Sequence, residues 1–487
     1  MEIAFLDAME QRQKFRDGEL SPSDVLRAQL ERIERHNGGA SGINALTEYF
    51  PEQAMEQARL ADDLYTQARR STVDLPPLLG ITVATKEKHA LAGQSITQGL
   101  QCQRDAVAVE DHPIVERLKK AGAIIHARTT SPEFSCATVT HSPMWGVTRN
   151  PWNLTKSPGG SSGGAGAALA AGYTTLATAS DIAGSTRIPA AFTGTVGYKA
   201  PYGRVPGAGF LASDWYRGDG PMGRTVSDVS MMSSVISGRH VSDANSWGSN
   251  GVAPLPQLIP EIRTIRFGVS QTLGAFPVSP SVADAFQRTV SMLRETGASV
   301  VEVDLPWTTE QVRETFFAHF GQILGPAMAQ IVEGTTDERA PYTDRFIEEA
   351  LLAGEKYQLI DSLRMDSQLN NELNAATAMV DVLLCPTNAV DWLEAEGQYL
   401  NGVTVAGQTL EHYWEGHMTS PFNIANRRPA ISIPVGVGDE GVPIGLQIVG
   451  APYDERSVFT AAFHLERLIS FDAQERDGMS LSLTSRS

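Results

Sequence analysis

Polar and apolar positions alternate differently along the two halves of the chain. In the first 70 residues apolar positions recur at helical spacing: Ser21-Pro22-Ser23-Asp24 offers a cap, and Val25, Leu26, Leu30 and Ile33 follow on one face. PEQAMEQARLADDLYTQARR predicts a second helix, so residues 1–70 are expected to be helical. From Leu79 to Ala200 short apolar runs such as GITVAT and GAIIHART are broken by glycine clusters, with helical segments between them. IRFGVS, SPSVADAFQRTVSMLRETG and ASVVEVDLP read as strand, capped helix and strand. VDVLLCPT, PAISIPVGV and PIGLQIVG read as buried strands, and DERSVFTAAFHLERLI as a closing amphipathic helix. The expected architecture is α/β, one large mixed domain spanning 1–487. Its parts are the helical segment 1–70, a core over 79–240, a Ser/Gly/Asn/Pro-rich connecting segment at 241–260, and a C-terminal part over 261–487.

Composition narrows the class. The 487 residues are 42% hydrophobic and 20% charged, which excludes extended disorder. Thirty-nine basic against 56 acidic residues give a net charge of −17, which repels phosphate backbones and anionic lipid, so neither nucleic acid nor membrane is an expected partner. Cys102, Cys136 and Cys385 are odd in number and far apart, offering no disulfide framework or CxxC pair, and a reducing cytoplasm fits best. The charged N-terminus lacks the apolar stretch of a secretory signal. His412 and His417 are the closest late pair among ten histidines, but no HExxH or similar spacing occurs, so neither a metal nor a cofactor is expected.

The segment that asks for a chemical reason is PGGSSGGAGAALAAGYTTLATASDIAGSTRIPAAFTGTVG, Pro158 to Gly197. Four glycines bracket Ser161 and Ser162, an arrangement that leaves backbone N–H groups open to an oxyanion. A flexible linker would stay polar, whereas an Ala-rich stretch follows at once. Gly159 to Gly163 fits the G-x-S-x-G elbow, yet the preceding TRNPWNLTKSP is too polar and proline-broken for the required strand. A phosphate loop lacks its Lys-Ser/Thr closure. A Ser–Lys arrangement remains, with Lys86 at the end of GITVATK as the candidate base, although a lone lysine is by default a solvated charge.

Taken together, GITVATKE, SPGGSSGG and SDIAGSTRIPAAFTGTVGYK resemble the amidase signature family of serine hydrolases, with 75 residues between Lys86 and Ser161 and 24 between Ser161 and Ser185. AGAIIHARTTSPEF, NPWN, GPMGRTVSD, VDVLLCPT and PIGLQIVG extend the resemblance along nearly the whole chain. It implies a mixed central β-sheet flanked by helices and a Ser–Ser–Lys triad: Ser185 as acyl-forming nucleophile, Ser161 as bridging hydroxyl, Lys86 as general base. The backbone N–H groups of Ile182, Ala183, Gly184 and Ser185 would form the oxyanion hole, with Ser162 and Asp181 in support and Arg187 paired to a structural carboxylate. The resemblance implies a cofactor-free amidase releasing acid and ammonia or amine, with carbamates and esters open to the same acyl transfer. The alternative is the glutaminase subunit of a transfer-RNA amidotransferase. The sequence departs from the family pattern at Ala183, at KEKHA, at YKAPYGRVP, and at Asn426, Arg427 and Arg428, the two arginines being either pocket-mouth or surface charges. Phe134, Cys136, Phe210, Trp215 and Tyr216 are candidates for an apolar pocket, which favours a small or medium, partly apolar or aryl amide. The expected partner is a small-molecule amide, with a homodimer a compatible assembly.

Overall fold

Ser21 starts its helix as the pattern predicts. Its side chain accepts from the Asp24 amide while Asp24 bonds back to the Ser21 backbone, and Pro22 opens a helix that runs to His36. This computed structural model describes residues 2–39, 42–71, 74–248 and 260–471. The buried Val25, Leu26 and Ile33 of that helix lie on its inner face, and its neighbour is the helix Pro51–Ala68. Between the two lies a strand, β1 (Leu46–Tyr49), which corrects the wholly helical reading of residues 1–70. Four residues are too few for a period-two pattern to stand out in sequence.

β1 pairs antiparallel with β3 (Ile124–Thr129), and β3 runs parallel to β2 (Thr82–Lys86). The next strands are β4 (Leu176–Asp181), β5 (Val196–Lys199), β6 (Gly218–Gly223), β7 (Arg266–Val269) and β8 (Ser299–Glu302). Then come β9 (Val382–Pro386), β10 (Ala430–Val437) and β11 (Pro443–Gly450). Among the described residues these eleven form one mixed sheet in the order β1-β3-β2-β4-β6-β5-β10-β11-β9-β7-β8. The sheet runs unbroken through both halves of the chain, so the protein is a single α/β domain.

Its central strands are buried on both faces because both faces are covered, whereas the edge strand β8 is largely exposed. In β9, Val382 and Leu384 join one core while Leu383 and Cys385 join the other. The first core is completed by the helices Pro113–Lys120, Val226–Ile236, Pro280–Glu295 and Glu455–Ile469. The second lies under the helices Thr309–Phe320, Leu324–Val332, Pro341–Lys356 and Leu359–Ala376. Residues 307–379 carried no predicted element. Of the predicted connecting segment 241–260, residues 249–259 lie outside those described. Among the described residues no helix is long and apolar enough to cross a membrane.

Phe267 is fully buried in β7, whereas Leu352 is 58% exposed. Phe267→Ala is expected to lower the unfolding free energy by about 3–5 kcal/mol. Leu352→Ala should change it by less than about 0.5 kcal/mol, both measured by denaturant unfolding.

Candidate active site

β2 is buried along its whole length because β3 and β4 flank it in parallel. The strand therefore delivers the Lys86 side chain into the interior, where it is fully buried. Its Nζ lies within hydrogen-bond distance of three hydroxyls, Ser161 Oγ at 2.7 Å, Ser162 Oγ at 3.0 Å and Ser180 Oγ at 3.1 Å. Burial pushes the amine well below the ordinary lysine range, and the nearby Lys88 ammonium pushes the same way. The surroundings thus favour a neutral amine.

Ser161 and Ser162 end the glycine-rich loop just ahead of the helix Gly163–Ala170. At Gly160 an added Cβ would lie 2.5 Å from the Ala137 carbonyl oxygen, so the close approach of the two loops requires glycine. The Ser162 amide donates to the Ser185 carbonyl at 3.2 Å, tying this loop to the turn that follows β4.

Asp181, at the end of β4, organises that turn. Its carboxylate accepts from the amides of Gly184 at 2.8 Å and Thr186 at 3.2 Å, from Arg187 Nε at 3.0 Å and from Arg187 Nη2 at 2.9 Å. Burial alone would raise the Asp181 pKa, but the Arg187 guanidinium, Lys199 and Asn423 together outweigh it and hold the carboxyl below its usual range. Arg187 thus finds the structural carboxylate expected of it. Gly184 adopts φ +120°, and a Cβ there would meet Thr419 Oγ1 at 2.0 Å. Because the Gly184 N–H is taken by Asp181, the expected four-amide oxyanion hole loses this member. Ile182, Ala183 and Ser185 remain.

Ser185, Ser161, Asp181, Ile182 and Ala183 all line a cavity of about 310 Å³. Phe134, Cys136 and Phe210 line it too. Trp215 and Tyr216 do not, which corrects their assignment to the pocket: both donate to the Asp366 carboxylate, and Tyr216 stacks on His319 with ring centroids 3.7 Å apart. A further part of the apolar wall comes from Leu324, Ala327, Met328, Ile331, Phe346 and Trp414. Neither late arginine lines the cavity. Arg428 is buried, donating to the Gly450 carbonyl and to Asn374 and Thr377, and the exposed Arg427 lies over the Tyr202 ring.

Several site residues escape sequence reasoning. Ser180 is the third hydroxyl on Lys86, and only its place beside Asp181 could have flagged it. Lys88, His112 and Arg217 also line the cavity. Among the described residues, His89, His112 and Asp219 form the one trio whose donor atoms lie within 4.8 Å of one another, near enough to share a metal ion. The spread of these three residues over 89, 112 and 219 hides them from any spacing motif.

Arg187 and Asp181 are both fully buried, so removing one partner strands the other's charge. Arg187→Met is expected to destabilise the fold by about 3–5 kcal/mol in denaturant unfolding.

With the geometry in hand, comparison with known proteins places the chain. A family model described as Amidase matches residues 24–459. A Glutamyl-tRNA(Gln) amidotransferase subunit from Moorella thermoacetica is 30% identical over 505 residues, covering 96% of this chain and 97% of that one. A bacterial aryl acylamidase of the amidase signature family shares the fold, with TM-score 0.87 at 23% identity and 99% of each chain covered. The 6-aminohexanoate cyclic dimer hydrolase in complex with its substrate superimposes with TM-score 0.80 at 26% identity, covering 96% of this chain and 98% of that one. The chain belongs to the amidase signature family of amide hydrolases.

Proposed function

We propose that this chain cleaves the C–N bond of a carboxylic amide on its own, through an acyl-enzyme on Ser185. The observation that carries the reading is the fully buried Lys86 amine, held by hydroxyls and 2.7 Å from Ser161. A neutral amine has two N–H groups and one lone pair, so contacts with three hydroxyls use two as acceptors and leave the third to give its proton to nitrogen. Ser161, the nearest, is the bridge.

Ser185 Oγ attacks the carbonyl carbon as its proton passes through Ser161 to Lys86. The oxyanion is stabilised by the amides of Ile182, Ala183 and Ser185. The Lys86 ammonium then returns the proton through Ser161 to the leaving nitrogen, the C–N bond breaks and the amine departs. Water attacks the acyl ester by the same relay, releasing the acid and restoring Ser185. The apolar lining from Phe134, Leu324, Met328, Phe346 and Trp414 supports a partly apolar or aryl amide, and esters and carbamates fit the same acyl transfer.

A second reading has its own support. The Roseiflexus castenholzii relative, 31% identical with 95% of this chain covered, is also a Glutamyl-tRNA(Gln) amidotransferase subunit, and a glutaminase subunit would use the same triad. Release of ammonia or amine by the purified chain alone, assayed with aliphatic, aryl and amino-acid amides, glutamine and a carbamate, separates the two. Turnover of amides with an aryl or aliphatic part, without glutaminase activity, is expected. Glutamine cleavage appearing only with a partner would reverse the reading.

Two outcomes test the chemistry. Ser185→Ala should lower kcat by roughly 10³-fold or more. Since the base form of Lys86 is required, kcat/KM should fall as pH drops through its depressed pKa and level off above it, at a pH below the ordinary lysine range.

A further inference from the structure

The polar lining of the catalytic cavity comprises the catalytic serines and turn, Gln98, Ser135 and Thr138, and one group of ionisable side chains, Lys88, His112 and Arg217. The triad chemistry does not use them. The Lys88 ammonium makes no hydrogen bond or ion pair among the described residues. His112 Nδ1 accepts from the Ile114 amide at 3.2 Å, which places the proton of the neutral ring on Nε2. That Nε2 is buried without a hydrogen-bond partner, as is Arg217 Nε. Two cations and a ring N–H therefore share this end of the cavity with one close carboxylate, Asp219, whose Oδ2 lies 3.5 Å from Arg217 Nη2 and 3.9 Å from His112 Nε2.

Asp219 is committed through both oxygens, and Asp214 through Oδ1 only, its Oδ2 being buried without a hydrogen-bond partner among the described residues. Asp219 Oδ1 lies 3.2 Å from His89 Nε2, and Oδ2 lies 3.5 Å from Arg217 Nη2. Asp214 Oδ1 takes His319 Nε2 at 2.7 Å and the Tyr216 amide at 3.0 Å. Neither carboxylate lines the cavity. Arg217 is fixed from behind: Asn426 Nδ2 donates to the carbonyls of Trp215 and Arg217 at 3.0 and 2.9 Å, and the buried Lys199 holds Asn426 Oδ1 at 2.5 Å. Two cations that share one close carboxylate in a low-dielectric cavity are stabilised when a further acceptor arrives.

We infer that Lys88, Arg217 and His112 form a subsite that binds a carboxylate of the substrate, so that the amide cleaved carries a free carboxylate apart from its scissile bond. The inference rests on the amidase reading above. Burial and the Arg217 guanidinium push the Lys88 ammonium down to about 7, and a bound carboxylate is the partner that restores its charge. The same two cations oppose a divalent metal on His89, His112 and Asp219. The apolar wall accommodates the rest of the substrate.

Two matched pairs test the subsite from either side of the scissile bond: succinanilate against valeranilide, and N-benzoylglycine against N-propylbenzamide. In kcat/KM the carboxylate member of at least one pair should be preferred by about thirtyfold, and Lys88→Met and Arg217→Met should each cut that preference at least about fivefold. Unchanged melting temperatures verify that the variants fold, and Lys88→Met suffices if Arg217→Met does not. Equal or inverted preference in both pairs, or a preference that survives the substitutions, overturns the inference. Calorimetric binding of the same four intact amides to Ser185→Ala reads the subsite without turnover. A carboxylate preference in binding without Ser185-dependent cleavage would sink the amidase reading and leave the subsite standing. Ser185-dependent cleavage without preference would sink the subsite alone.

Discussion

Everything at this site depends on keeping one lysine out of water. Transferring an ammonium into a dry interior is unfavourable by several kcal/mol, and without a carboxylate to pair with, the amine answers by giving up its proton. β2 imposes this on Lys86, because a strand flanked in parallel on both sides has no solvent to offer its last residue. Three hydroxyls then accept or supply hydrogen bonds without adding charge. A carboxylate in place of any of them would restore the ammonium and remove the base.

A charged pair is used one turn away, for a different purpose. Asp181 and Arg187 are buried as an ion pair whose remaining capacity is filled by the turn amides, by Asn423, by the Thr419 carbonyl and by Gln447. The pair ties the end of β4 to β11 and to the segment around Thr419, and so fixes where the Ser185 turn sits relative to the Ser161 loop. Its carboxylate also takes the Gly184 amide, while Thr419 Oγ1, 2.0 Å from where a Cβ would lie, leaves no room for a side chain at that position.

Much of this was legible in the chain. Lys86, Ser161 and Ser185 sit in short contiguous motifs because strand ends and glycine turns are local structures, and local structures leave local signatures. The strands of the sheet were legible for the same reason, as continuous apolar runs such as VLLCP. What stayed hidden depends on side-chain direction or on assembly across distance. Trp215 and Tyr216 lie close in sequence to cavity residues, yet they point to Asp366 and His319. Part of the apolar wall comes from Leu324–Val332, in a region where the preceding run FFAHF gives no clear stripe because it is buried nearly all round. The cationic group joins residues from 88, 112 and 217, which no spacing rule connects.

In the proposed reaction shape and charge act in sequence: apolar walls admit the substrate, donors orient it, and the buried amine acts on it. The central claim is that Lys86 is neutral in the resting enzyme. A direct measurement is an NMR titration of ¹³Cε-labelled lysine, with Lys86→Met assigning the signal. The account predicts a Lys86 midpoint displaced well below the others. A midpoint near the ordinary value of about 10.4 would contradict it.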